Sequence, residues 1–168
     1  PGGVVRHAMS GIDMALWDIR GKISDQPVRN LLSQTAVDSV PCYASVLWPN
    51  RPEEIAVSAE SFLEQGYKSV KYGWGPMGPD AALDESLVAS AREALGTEID
   101  LMVDAGRVWD VETAHSRIEQ LKKYNLCWLE APLNPYDITG YKALSANLPI
   151  PIASGEMLTL QKDLKQPI

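Results

Sequence analysis

The chain has 168 residues, 45% hydrophobic and 22% charged, which reads as a soluble globular protein large enough on size alone for one domain. Its formal charge of −7 supplies no basic patch for nucleic acid or anionic lipid and points to a metal as the complement of its acids. No stretch approaches the roughly 18 apolar residues that span a bilayer, and no signal peptide is visible.

In chain order, Met9, Ile12, Leu16 and Ile19 share one helical face, and Gly21 with Gln26-Pro27 supplies a stop, so a first helix is expected over about residues 8–20. Leu31 and Leu32 mark a short linker helix. The apolar run Val40–Leu47 suits a buried first strand. Ile55, Ala59, Phe62 and Leu63 form a helix ending near Gly66, and Ser69–Tyr72 is a second strand broken by the glycines and proline of residues 73–78. Leu83, Leu87, Ala91 and Leu95 recur every four residues on the next helix, with Gly96 as its C-cap. A third strand carries Asp104. Val111, Ala114, Ile118 and Leu121 make another helix, and Asp110 before it is an N-cap. A strand over Cys127–Glu130, a helix near 137–147, a fifth strand at Ile150–Ser154 and the start of a helix at Leu158–Leu164 complete the order.

Strands that read as continuous apolar runs and alternate with helices imply parallel strands covered by helices. An open doubly wound sheet would carry a phosphate-binding glycine fingerprint after its first strand, and none follows residue 47. A (β/α) barrel is therefore expected, with only five strands present. Trp17, Trp128, Met9 and Met102 read as core. Asp13 and Asp18 fall on the polar side of the first helix, and His7 and His115 on exposed helix faces away from any chemistry. Cys42 and Cys127 have no CxxC spacing and sit in apolar strand-like surroundings, so they are expected as buried free thiols in a reducing, cytoplasmic compartment.

The chemistry is carried by three acids, each where a strand hands over to a loop. Asp104, Glu130 and Glu156 are spaced twenty-six residues apart, one strand-loop-helix-loop unit each. One such acid alone would usually be a helix cap or a surface charge. Three in register gather carboxylates at the C-terminal mouth of neighbouring strands, where they repel one another unless a hard cation such as Mg²⁺ sits among them.

The run Ile12-Asp13-Met14-Ala15-Leu16-Trp17-Asp18-Ile19-Arg20-Gly21-Lys22, the Val103-Asp104 strand, Trp128-Leu129-Glu130-Ala131-Pro132 and Ser154-Gly155-Glu156 resemble the enolase superfamily in its mandelate racemase branch. The resemblance covers essentially the whole chain. It implies a two-domain protein with an α+β capping domain over a modified (β/α)₇β barrel. Residues 1–38 then correspond to the last helix of the capping domain and its linker, and 39–168 to barrel strands one to five, so the chain is expected to be a fragment. It further implies Asp104, Glu130 and Glu156 as ligands of Mg²⁺, and abstraction of the proton α to a carboxylate through a metal-stabilised enediolate.

The family commonly places Lys-x-Lys at the end of the second barrel strand, the first lysine touching the substrate carboxylate and the second acting as base. Lys71 falls on the first position and Gly73 on the second, a departure from the pattern. Lys68 cannot substitute, being at the wrong end of the strand and on the other face. A racemase needs a base on each side of the carbon, whereas a dehydratase needs one residue, often a histidine on a later strand. The glycine-rich loop 73–78 leaves room for a polyhydroxy chain. The resemblance thus implies a sugar-acid dehydratase, a homo-oligomer at full length, acting on a small carboxylate. A racemase or epimerase in the same fold, or a non-catalytic barrel piece, are the alternatives.

Overall fold

The computed structural model describes residues 3–145 and 148–159, which form two compact units, one built from residues 3–41 and the other from 42–158. The expected last helix at 158–164 lies outside the described residues apart from Leu158 and Thr159, which are not helical.

The first unit holds helix α1 (Val4–Ile23) and helix α2 (Val28–Leu32). Helix α1 starts earlier than the apolar spacing suggests and runs through Gly21. That glycine is a contact rather than a stop: a Cβ there would lie 2.9 Å from the Gln26 carbonyl oxygen, and Gln26 N–H donates to the Gly21 carbonyl at 3.0 Å. The helix ends at Ile23, and two residues on Asp25 takes a left-handed φ of 51°. Asp18 pairs with Lys22 one turn on, while Asp13 and His7 are exposed. The core assignment of Met9 is wrong, for it is 54% exposed, and Ile12, Leu16 and Ile19 are exposed with it. Two helices alone give an apolar stripe of this width too little to pack against. Trp17 is only half-buried, with the Arg20 guanidinium 5.3 Å from its ring centre.

The second unit is a five-stranded sheet in the order β1-β2-β3-β4-β5, every pair parallel. Its strands are β1 (Ala44–Leu47), β2 (Ser69–Gly73), β3 (Asp100–Asp104), β4 (Leu126–Glu130) and β5 (Ile152–Ala153), alternating with helices α3 (Ile55–Glu64), α4 (Ala81–Leu95), α5 (Val111–Leu121) and α6 (Ile138–Ser145). The core lies on one face of the sheet. Val70, Tyr72, Leu101, Val103 and Leu129 pack there against Ile55, Leu87, Ala91, Ile118 and Leu144 of the helices, all fully buried. Asp80 and Asp110 cap α4 and α5 by accepting from backbone N–H groups of the first turn. His115 is exposed.

Two local expectations fail for backbone reasons. The first strand is half the expected length: Val40 is exposed, Pro41 has no N–H for a ladder, and pairing starts only at Ala44. Both cysteines are exposed rather than buried. In β4 the register shifts, Leu101 pairing with Leu126 but Met102 with Trp128, so Cys127 is the extra residue of a bulge and drops out of the apolar alternation. The bulge turns Trp128 and Glu130 onto the same sheet face as Lys71, Gly73, Met102 and Asp104. Trp128 is half-buried there, whereas Met102 is buried as expected.

The glycine-rich loop after β2 is tied to the helical layer by a charge pair that sequence patterning does not reveal. Asp84, fully buried on α4, accepts from Gly78 N–H at 2.7 Å and from Arg117 Nε at 2.8 Å, and Trp109 Nε1 donates to the Gly78 carbonyl at 3.2 Å. Removing one partner leaves a buried charge unpaired. Asp84→Ala is thus expected to lower stability by about 3–5 kcal/mol, measured by urea unfolding of the full-length protein. On the surface between α4 and the turn after α5, hydrogen bonds from Lys123, Gln120 and Tyr124 hold the Glu85 carboxyl down to about 2 from an ordinary 4.5. A depressed carboxyl stabilises the fold above its unfolded pKa, and that contribution is lost as pH falls through the folded one. Glu85→Gln should therefore flatten the acid limb of the stability profile between pH 4.5 and about 2, and an unchanged limb would contradict this.

Candidate metal centre

The parallel ladder sets the site. Gly73 pairs with Asp104, Asp104 with Glu130, and Glu130 with Ala153, so the ends of β2 to β5 are level. Asp104 and Glu130 are the last residues of their strands. Glu156 differs from expectation in lying three residues beyond β5, in a turn closed by Leu158 N–H donating to the Gly155 carbonyl at 2.9 Å. It nevertheless reaches back: one carboxylate oxygen from each of Asp104, Glu130 and Glu156 lies within 4.8 Å of the other two.

Each acid is held differently. Asp104 is 4% exposed. Its Oδ1 accepts from Gly106 N–H at 2.8 Å and its Oδ2 from Trp74 Nε1 at 2.9 Å. Glu130 accepts from Lys71 Nζ on both oxygens, at 2.7 and 2.8 Å, and from Trp128 Nε1 at 3.1 Å. Glu156 is exposed and has the Arg107 Nε 3.8 Å away. At an effective dielectric of about 20, two carboxylates this close repel by on the order of 3 kcal/mol. The two cations offset part of that.

Lys71 points onto the acid-bearing face, 4.0 Å from Asp104 as well as against Glu130, with its ammonium 5.5 Å from the Tyr43 ring centre. Burial pulls its pKa down, but the hydrogen bond and charge of Glu130, with Tyr43 and Asp104, outweigh burial and leave it above the ordinary lysine value. Its ammonium is held against the Glu130 carboxylate. Lys68 is exposed before the strand. A cavity of about 170 Å³ opens beside Lys71, bounded by Ser45, Leu47, Gly73, Trp74 and Asp104.

Gly73 is sterically fixed, since a Cβ there would lie 2.5 Å from Asp104 Cβ. The sequence shows the missing side chain at this position but not this contact. Nor does it reveal Trp74 and Arg107, whose positive φ values of 61° and 69° belong to no propensity pattern, and Trp128, expected as core, donates its N–H to Glu130. An indole next to a glycine-rich turn and an arginine three residues after a strand-end acid were the only signals available.

Residues 54–168 match the enolase C-terminal domain-like family, and residues 3–33 match the mandelate racemase / muconate lactonizing enzyme N-terminal domain. The chain belongs to the mandelate racemase and muconate lactonizing branch of the enolase superfamily. Its sheet and alternating helices are accordingly part of an enolase-type barrel. Over 166 residues this branch member is 39% identical to the L-talarate/galactarate dehydratase of Salmonella typhimurium, covering 98% of this chain and 41% of that enzyme. An enolase from Bradyrhizobium complexed with magnesium and mandelic acid superposes with a TM-score of 0.83 at 32% identity, over 93% of this chain and 42% of the other. The 3,6-anhydro-D-galactonate cycloisomerase of Zobellia galactanivorans gives 0.83 at 34% identity, over 93% and 43%. The chain thus spans about two fifths of the length of these relatives.

Any side chain at 73 must push β3 or the Asp104 carboxylate away. Gly73→Ala is expected to cost about 1–3 kcal/mol of stability through overpacking, read by thermal unfolding, and to move Asp104 in a crystal structure. A neutral substitution with Asp104 in place would contradict the contact.

Proposed function

We propose that this chain carries part of the active site of a Mg²⁺-dependent sugar-acid dehydratase, with Asp104, Glu130 and Glu156 as metal ligands and Lys71 facing the substrate carboxylate. The observation that carries the reading is the convergence of three carboxylate oxygens within 4.8 Å beside a held lysine. An all-oxygen donor set of carboxylates fits a hard divalent cation. The magnesium in the Bradyrhizobium structure and the dehydratase activity named for the Salmonella relative support the same assignment. Residues 1–38 are proposed as the end of a capping domain and 39–168 as an incomplete barrel, in keeping with the two family matches. Exposed free thiols at Cys42 and Cys127 suit a cytoplasmic setting.

A bound divalent cation supplies Lewis-acid stabilisation of the charge that develops on the substrate carboxylate. The chain's own groups do the rest of the positioning. Lys71, kept protonated by its acidic neighbours, donates to the substrate carboxylate and adds a second positive charge where negative charge grows. Gly73 supplies no base on this side of the substrate. The base that removes the α-proton is then placed outside the described residues, which is consistent with relatives more than twice as long. With one base, the residue that takes the α-proton returns it to the departing β-hydroxyl, which leaves as water, rather than a proton being returned to the opposite face of the α-carbon.

The test uses the full-length protein with Mg²⁺ and a panel of sugar acids in deuterated water. Water loss is expected, with deuterium entering from one face only. Lys71→Met should cut turnover by about 10²–10³ while Mg²⁺ binding persists, and Glu130→Gln should remove both. Racemisation of a 2-hydroxy acid, with deuterium in both enantiomers, would overturn the dehydratase in favour of a racemase. Absence of any Mg²⁺ binding would overturn the metal centre itself.

A further inference from the structure

We propose that Trp128 tunes which cation the three acids accept: its indole N–H, added to the two contacts of Lys71, leaves the Glu130 carboxylate a single position for a metal, and so favours Mg²⁺ over the larger Ca²⁺. The inference rests on the metal-centre reading above and concerns the selectivity of that same site.

An ionised carboxylate offers about four lone-pair positions, two on each oxygen. On Glu130 three of them are taken: Lys71 Nζ lies 2.7 Å from Oε1 and 2.8 Å from Oε2, and Trp128 Nε1 donates to Oε2 at 3.1 Å. Oε2 is thereby filled, and only Oε1 keeps a position. The other two acids are not so restricted. Asp104 accepts one hydrogen bond on each oxygen, from Gly106 N–H and from Trp74 Nε1. Among the described residues no hydrogen bond reaches the Glu156 carboxylate, from which Arg107 Nε stands 3.8 Å away. Glu130 ends β4, the strand between β3 and β5, so the restricted acid is the middle one of the three.

Strand geometry holds the indole in this role. Trp128 pairs with Met102 and Glu130 with Asp104, so the two residues share the acid-bearing face of β4, and Trp128 is half-buried there. The Tyr43 ring packs edge-on against the indole, with ring centres 5.5 Å apart and planes 78° apart. The same Tyr43 ring has the Lys71 ammonium 5.5 Å from its centre. Both donors to Glu130 thus lean on one aromatic support. Mg²⁺ demands near-octahedral coordination at about 2.0–2.1 Å and keeps several waters, whereas Ca²⁺ takes about six to eight oxygens at 2.3–2.6 Å and readily binds a carboxylate through both oxygens. A Glu130 with one open position suits the first ion and withholds a ligand from the second.

The experiment is calorimetric titration of the full-length protein with Mg²⁺ and, separately, with Ca²⁺, in the unaltered chain and in Trp128→Phe, which keeps an aromatic ring against Tyr43 and loses the N–H. The ratio of Mg²⁺ to Ca²⁺ affinity is expected to move at least about fivefold towards Ca²⁺ in the variant. A merely structural role would weaken both cations alike, so a ratio within about twofold of the unaltered one would overturn the inference and leave the metal centre standing. A crystal structure of the unaltered full-length protein with Ca²⁺ needs no variant to fold. It is expected to show Ca²⁺ about 2.3–2.6 Å from one Glu130 oxygen, with the Trp128 N–H still on the other. Both Glu130 oxygens on Ca²⁺ would overturn the inference. Failure of the unaltered protein to bind either cation would overturn the metal centre, and this inference with it.

Discussion

Three carboxylate oxygens within 4.8 Å of one another is a costly arrangement, and the sheet is organised around holding it. Isolated side chains would separate to relieve repulsion of on the order of 3 kcal/mol per pair. The level ends of β3 and β4 prevent that by fixing the Cα positions of Asp104 and Glu130 as ladder partners. Hydrogen bonds then lock the carboxylates: Gly106 and Trp74 on Asp104, Lys71 and Trp128 on Glu130. Gly73 belongs to the same device, since only a residue without a Cβ lets β2 run beside Asp104. Position 73 is thereby committed to packing against Asp104.

The loops carry the adjustable part. Trp74, one residue beyond β2, and Arg107, three residues beyond β3, have left-handed backbone conformations, and the loop that presents Trp74 is tied to buried Asp84, itself paired with Arg117. A rigid helical layer thus reaches the mouth of the site through one glycine-rich turn. Val70, Tyr72, Leu101, Val103 and Leu129 on the helix-facing side of the sheet are fully buried, whereas Leu47 on the acid-bearing side is 66% exposed. β1 and β5 are the edges of the sheet among the described residues.

The parallel α/β architecture and the acid cluster were legible in the sequence because both are periodic. Helical faces repeat every three to four residues, and the acids repeat once per strand-helix unit. Features set by single backbone events were not. The bulge that exposes Cys127 leaves the apolar run around it intact, and the exposure of Met9 reflects how little lies beside α1 within its own unit rather than the pattern of the helix itself. Asp84 reads as an ordinary first-turn acid, and its burial depends on Arg117, thirty-three residues away in the chain. Glu156 was found through its spacing, although it lies on a turn and not at a strand end.

We propose that Asp104, Glu130 and Glu156 bind one divalent cation together. Crystals of the full-length protein soaked in Mn²⁺, with diffraction recorded at the manganese absorption edge, test it most directly. A single strong anomalous peak is expected at coordinating distance, about 2 Å, from one oxygen of each of the three carboxylates, with Lys71 beside but not on the metal. A peak contacting only one or two of them, or none at the ends of β3 and β4, would contradict it.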